Sequence, residues 1–146
     1  MELFSLIDTS PHLSKSSLIN SIKESGLENF INTLPKGLDT RVGESGVSLS
    51  GGQIQRIAIA RAFYREAKII FLDEATNALD SITEKYILKS LEKMTDKCIF
   101  IISHNMRTLR HSSGVLLLKM GRLKFVKIPR DVKNKELFIK RLIKKI

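Results

Sequence analysis

The chain has 146 residues, enough for one ordinary domain with a real core. Its 42% apolar and 27% charged content excludes a disordered polar chain, and no apolar run approaches the length that crosses a bilayer. The net charge of +10 hints at nucleic acid or an anionic membrane, but it is unevenly placed: Arg122 to Ile146 holds ten Lys or Arg against Asp131 and Glu136, and the remainder is close to neutral.

The basic character therefore belongs to a tail, and no nucleic-acid partner is expected from it. Met1-Glu2-Leu3-Phe4 lacks the basic start and long apolar core of a signal peptide. The single cysteine, Cys98, lies in a strand-like run and reads as a buried thiol, which points to a reducing, cytoplasmic compartment.

In chain order, residues 1–14 give mixed signals, with a turn at Ser10-Pro11. Ser14, Ser16 and Ser17 lead into a helix over Lys15–Ser25, which Gly26 ends. Leu27, Phe30, Ile31 and Leu34 share one face of a short helix stopped by Pro35. A turn at Pro35-Lys36-Gly37 follows, then a polar, exposed loop from Asp39 to Gly46.

Ser50 stands before Gly51-Gly52 and an apolar-periodic run, where a helix N-cap belongs. Two glycines let the backbone approach a bound group, and a helix N-terminus of this kind suits an anion. Ile54, Ile57, Ala58, Arg61 and Ala62 fall at helical spacing up to a turn at Arg65-Glu66. Ile69-Ile70-Phe71-Leu72 has no polar member and predicts a strand buried on both faces, ending at Asp73-Glu74. Two carboxylates at the end of such a strand suit a hydrated Mg²⁺ and a base for an attacking water. An isolated Asp-Glu pair more often just caps a strand.

Ser81 with Glu84 predicts a capping box for a helix over Ser81–Met94, its apolar face built from Ile82, Tyr86, Leu88 and Leu91. Cys98–Ile102 is a second buried strand, ending at Ser103-His104. Met106–His111 is a short basic helix. Val115–Leu118 and Leu123–Ile128 are strands joined through Gly121. Asp131–Ile146 predicts a basic helix with Val132, Leu137, Phe138, Leu142 and Ile143 on one side.

Leu49-Ser50-Gly51-Gly52-Gln53, Asp73-Glu74, Asn77-Ala78-Leu79-Asp80 and Ser103-His104 occur in this order, and together they resemble the nucleotide-binding domain of an ATP-binding-cassette (ABC) ATPase. The resemblance covers roughly Leu27 to Val126. It implies that Ser50, Gly51, Gly52 and Gln53 are the family signature, which serves an ATP held by the opposite subunit of a head-to-tail dimer. By the same resemblance Asp73 ends the Walker B strand and holds Mg²⁺ through water, and Glu74 polarises the attacking water. Asn77–Asp80 form the D-loop, with Asp80 contributing to the nucleotide site, and His104 senses the γ-phosphate. Thr40–Gly46 resembles the exporter-type loop that touches a membrane-spanning partner. Where the family usually carries an acidic residue and an arginine, this chain has Ser113-Gly114, so a usual anchoring pair is missing.

The implied fold is α/β: part of a P-loop NTPase (RecA-like) parallel sheet, with a helical signature subdomain at 1–66, the partial ATPase core at 67–128 and a basic C-terminal helix at 129–146. The implied function is coupling of ATP hydrolysis to export across a membrane, at the cytoplasmic face. The phosphate-binding pattern G-x-x-x-x-G-K-[ST] does not occur: Gly46 and Gly51 have its separation, but Gly52-Gln53 follows, and the sequence contains no Gly-Lys dipeptide. The expectation is a C-terminal part of such a domain, inactive alone. Two other readings stand beside it. One is a non-catalytic remnant or pairing module offering a signature face to a complete partner. The other is a soluble ABC protein of DNA repair or translation, against which stand the Thr40–Gly46 loop, Gln53 and the lack of coiled-coil heptads. The lysines and arginines of the tail read as a solvated helix face or as a contact with anionic lipid headgroups.

Overall fold

A computed structural model of the chain describes residues 2–8, 14–44, 46–129 and 132–144. The turn expected at Ser10-Pro11, Ser45 of the polar loop, and Asp131 and Ile146 of the expected tail helix lie outside the described residues. The chain forms two compact units, Met1–Ile101 and Ile102–Ile146.

The first unit holds α1 (Leu3–Ile7), α2 (Lys15–Glu24), α3 (Glu28–Thr33), a 3-10 turn (Gly37–Asp39), α4 (Gly51–Tyr64), β1 (Ile69–Asp73), α5 (Ser81–Lys93) and all but the last residue of β2, whose range is Cys98–Ile102. Ser14 caps α2 by accepting a hydrogen bond from the Ser17 N–H, and Gly26 leaves the helix with φ of 69°, as expected of a C-terminal glycine. The short α1 was not legible, yet it buries Leu3 and Ile7 completely and ties its Leu3 N–H to the Thr40 carbonyl at 3.0 Å.

The organising element is α4. Ile57, Ala60 and Tyr64 face a cluster built with Leu3, Ile7, Leu18, Ile22, Leu27, Ile31 and Val42. Ile59 and Phe63 face a second cluster with Ile70, Leu72, Ile87, Leu88 and Leu91. A helix wedged between two cores has no single apolar stripe. This corrects the expected face: Ile54 and Ala58 are exposed, whereas Ile59, Phe63 and Tyr64 are buried.

Cys98 N–H reaches the Lys68 carbonyl at 2.8 Å, and farther along, Phe71 stacks on Phe100 with centroids 4.9 Å apart. Starts thus lie beside starts, so β1 and β2 run in the same direction. The expectation that both strands are buried on each face is not met. Along β1 the side chains alternate, with Ile70 and Leu72 buried and Ile69 and Phe71 57% and 70% exposed. Cys98 and Ile102 are exposed on β2, so the thiol is not a core residue. The physical reason is the side-chain period of two: cover on one face buries alternate residues only.

Asp80, not Ser81, caps α5, since its carboxylate reaches the first free N–H groups. The helix rotates accordingly. Ile87, Leu88 and Leu91 are buried, and Ile82 and Tyr86 of the expected face are exposed.

The second unit holds α6 (Met106–Leu109), β3 (Gly114–Lys119), β4 (Arg122–Lys127) and α7 (Lys135–Lys144). β3 and β4 form an antiparallel hairpin with Leu116 opposite Phe125 and Leu118 opposite Leu123. Met120 and Gly121 both have positive φ, 48° and 72°, as a two-residue hairpin connection requires. Val115, Ile128 and Ile139 form the core of this unit, with Met106, Leu109, Leu117, Phe138 and Leu142 against them. Ile139 was absent from the expected tail-helix face, whereas Leu137 and Ile143, which were included, are each 45% exposed.

Candidate functional site

The start of α4 is fixed by a reciprocal cap. Ser50 is extended, its Oγ accepts from the Gln53 N–H at 3.2 Å, and Gln53 Oε1 accepts from the Ser50 N–H at 2.7 Å. The side chains of Ser50 and Gln53 therefore order the helix terminus. Gly51 and Gly52 occupy the first two helical positions, whose N–H groups a helix leaves without an internal acceptor. With the partial positive charge of the helix end, this arrangement suits an anionic oxygen.

The two glycines differ. A Cβ on Gly52 would come 2.9 Å from the Ala78 carbonyl oxygen, too close for a side chain. A Cβ on Gly51 would meet the Ala78 Cβ at an ordinary 3.7 Å. Gly52 is a packing requirement within the chain, and Gly51 is not.

Asp73 ends β1 and is exposed, as is Glu74. Glu74 has φ of 47°, the left-handed region that non-glycine residues rarely occupy. A turn follows: the Asn77 N–H bonds the Glu74 carbonyl at 3.1 Å and Asn77 Nδ2 donates to Glu74 Oε2 at 3.0 Å. Two exposed, adjacent carboxylates form a donor set that fits a Mg²⁺ keeping most of its waters. Among the described residues no group of three or more His, Cys, Asp or Glu could hold a metal ion.

Asp80 is engaged as a cap. Its Oδ1 accepts from the Ile82 and Thr83 N–H groups at 3.0 Å each, and its Oδ2 accepts from Thr83 Oγ1 at 2.6 Å. The Thr83 hydroxyl, then the Thr83 N–H, hold its carboxyl below the ordinary carboxylate range.

Two residues missed in the sequence join these parts. Gln55 Oε1 accepts from the Ala78 N–H at 2.9 Å, and its Nε2 donates to the Glu74 carbonyl at 3.5 Å. Arg56 donates from Nε to the Gly52 carbonyl at 3.3 Å and from Nη1 to the Gly26 carbonyl at 2.8 Å, tying α4 to the end of α2. The adjacent polar pair Gln55-Arg56 between the apolar residues Ile54 and Ile57 was the available signal. Within the first unit the Glu74–Ala78 turn thus packs against α4 at Gly52 and Gln55. His104 belongs to the second unit, where it is exposed between β2 and α6, next to Asn105, which caps α6 by accepting from the Arg107 N–H at 2.9 Å.

The expected polar loop is partly a buried one. Thr40 and Val42 are buried, and Arg41, Gly43, Glu44 and Gly46 are exposed. Val47 N–H to the Arg41 carbonyl at 2.9 Å and Gly43 N–H to the Val47 carbonyl at 3.2 Å close it tightly. At Gly46 any Cβ would collide with the Arg41 carbonyl.

The N-terminus of α4 thus packs on a turn that follows two exposed, adjacent carboxylates. The family description "ABC transporter" matches residues 4–77, and the chain belongs to the ABC transporter family. It is 49% identical over 111 residues to the ATP-dependent lipid A-core flippase of Legionella pneumophila (strain Paris), covering 75% of this chain and 19% of that protein. It is 39% identical over 112 residues to the putative multidrug export ATP-binding/permease protein YgaD of Bacillus subtilis (strain 168), covering 76% and 19%. A solved bacterial Atm1-family ABC exporter with ATP bound superposes with a TM-score of 0.80 at 32% identity, covering 97% of this chain and 24% of that one. The chain spans about a fifth of the length of these curated relatives. Among the described residues no helix is long and apolar enough to cross a membrane.

Proposed function

We propose that this chain is the signature-bearing portion of an exporter's nucleotide-binding domain, working at the cytoplasmic face beneath a membrane-spanning partner. Residues 1–66 serve as the helical signature subdomain, 67–128 as part of the ATPase core and 129–146 as a basic C-terminal segment. The single observation that carries this reading is the contact of Gly52 with Ala78, which seats the signature against the turn that follows Glu74. Ser50, Gly51, Gly52 and Gln53 present the N-terminus of α4 to an ATP held by a second nucleotide-binding domain. Asp73 holds Mg²⁺ through water, and Glu74 takes the proton of the attacking water. His104 contacts the γ-phosphate, and Asp80 keeps the D-loop in place by capping α5. Catalysis is then largely positioning and charge stabilisation.

The pattern G-x-x-x-x-G-K-[ST] does not occur in this sequence, and on this reading another segment cradles the phosphates. The exposed tip at Arg41, Gly43 and Glu44 is the surface offered to the membrane-spanning partner, and the basic face of α7 lies against anionic headgroups. The missing pattern also favours a second reading, a pairing module that supplies only a signature face to a complete domain. Glu74→Gln separates the two. In the assembled transporter the catalytic reading predicts retained ATP with turnover down by about 10²–10⁴. Near-normal turnover would remove Glu74 from its role and leave the pairing reading.

A further inference from the structure

The turn that carries Glu74 closes on itself through Asn77, whose bonds to the Glu74 carbonyl and carboxylate lie within the turn. One side chain of α4 ties it to that helix by two hydrogen bonds. Gln55 lies three residues beyond Gly52, and its amide spans the turn, accepting from the Ala78 N–H at 2.9 Å and donating to the Glu74 carbonyl at the longer 3.5 Å. Beside it the Ala78 carbonyl rests against Gly52, leaving no room for a Cβ. Glutamine suits this task because its amide carries a donor and an acceptor at one reach. Glutamate of the same length keeps the acceptor but loses the donor, and methionine loses both.

We propose that Gln55 is a positioning residue for ATP hydrolysis, holding the left-handed backbone at Glu74 in register with the signature end of α4. Signature and carboxylates then move as one body, so a nucleotide drawn onto the N-terminus of α4 also sets the place of the base. This rests on the ATPase reading above, and it assigns Gln55 no contact with nucleotide or water. An anchor of this kind matters because a misplacement of about 1 Å at the reacting groups costs on the order of 10²-fold in rate.

Two readouts test it. In the 146-residue chain, amide exchange followed by NMR should show the Ala78 N–H exchanging roughly five- to tenfold faster in Gln55→Met, the loss of one hydrogen bond. Leu88 N–H in α5 should be unchanged, which reports that the unit is folded. Gln55→Glu, which keeps the acceptor, should restore the Ala78 protection. In the transporter assembled with this chain, Gln55→Met should lower kcat by about ten- to a hundredfold with the KM for ATP within about twofold. Unchanged Ala78 exchange in Gln55→Met overturns the tie. Faster exchange with unchanged kcat, while Glu74→Gln still abolishes turnover, overturns the positioning role and leaves the ATPase reading standing. Normal turnover in Glu74→Gln, with Ala78 exchange responding as expected, overturns the ATPase reading and with it the catalytic consequence assigned to Gln55.

Discussion

Gly51 and Gly52 look alike as letters and differ in what surrounds them. Because a Cβ on Gly52 meets the Ala78 carbonyl at 2.9 Å, Gly52→Ala should destabilise the chain by about 1–3 kcal/mol in urea denaturation. Gly51→Ala has room and gains helix propensity, so it should be neutral or stabilising by up to about 1 kcal/mol. Any loss of transport in Gly51→Ala then reports on what approaches the helix from outside this chain. Asp80 gives a prediction in pH. Its carboxyl is held low in the folded chain by Thr83, so its ionised form favours folding above the ordinary carboxylate value of 3.8. That contribution disappears as the pH falls through the lower folded value. The gap in urea midpoint between wild type and Asp80→Ala should be full at pH 7 and narrow below about pH 4. At this scale the candidate residues were legible because each belongs to a spaced motif. The Gln55 tie was not, since it depends on where a turn meets a helix distant in sequence, and the local cap at Asp80 was placed one residue late, at Ser81.

Helices and strands were placed well by turn signals and caps, and their faces much less well. For α4 the cause is its burial on two sides. Helical periodicity gives a single stripe only when a helix covers a single core, and α4 separates two. Ile57→Ala and Ile59→Ala, two residues apart and so on different sides, should therefore each cost about 2–5 kcal/mol by thermal or urea unfolding. A one-faced helix would lose stability in one of them and little in the other. In α7, which faces a single cluster, Ile139 is fully buried, and Leu137, which was expected on the core face, is exposed. Ile139→Ala should loosen the second unit by about 2–5 kcal/mol, and Leu137→Ala should stay within about 0.5 kcal/mol, as read by exchange of the Val115 amide.

Across the whole molecule, large apolar side chains remain in solvent on one face of each two-stranded sheet. Ile69, Phe71 and Ile102 lie on the first, and Leu116, Leu118, Leu123 and Phe125 on the second. The sequence read Ile69–Leu72 and Cys98–Ile102 as buried because they are almost wholly apolar, a composition that does not say whether the cover is present. Exposed faces and edges of this kind promote association. Ile69→Lys with Leu118→Lys should lower light scattering at a given concentration while changing unfolding stability by no more than about 0.5 kcal/mol for each site. The central claim is that the chain supplies a signature helix and a Mg²⁺-facing carboxylate turn and takes its phosphate cradle from elsewhere. Calorimetric titration of the purified 146-residue chain with ATP and Mg²⁺ tests it most directly. The account predicts a Kd no tighter than millimolar, about 4 kcal/mol of binding, and no hydrolysis, whereas micromolar binding by this chain without a partner would contradict it.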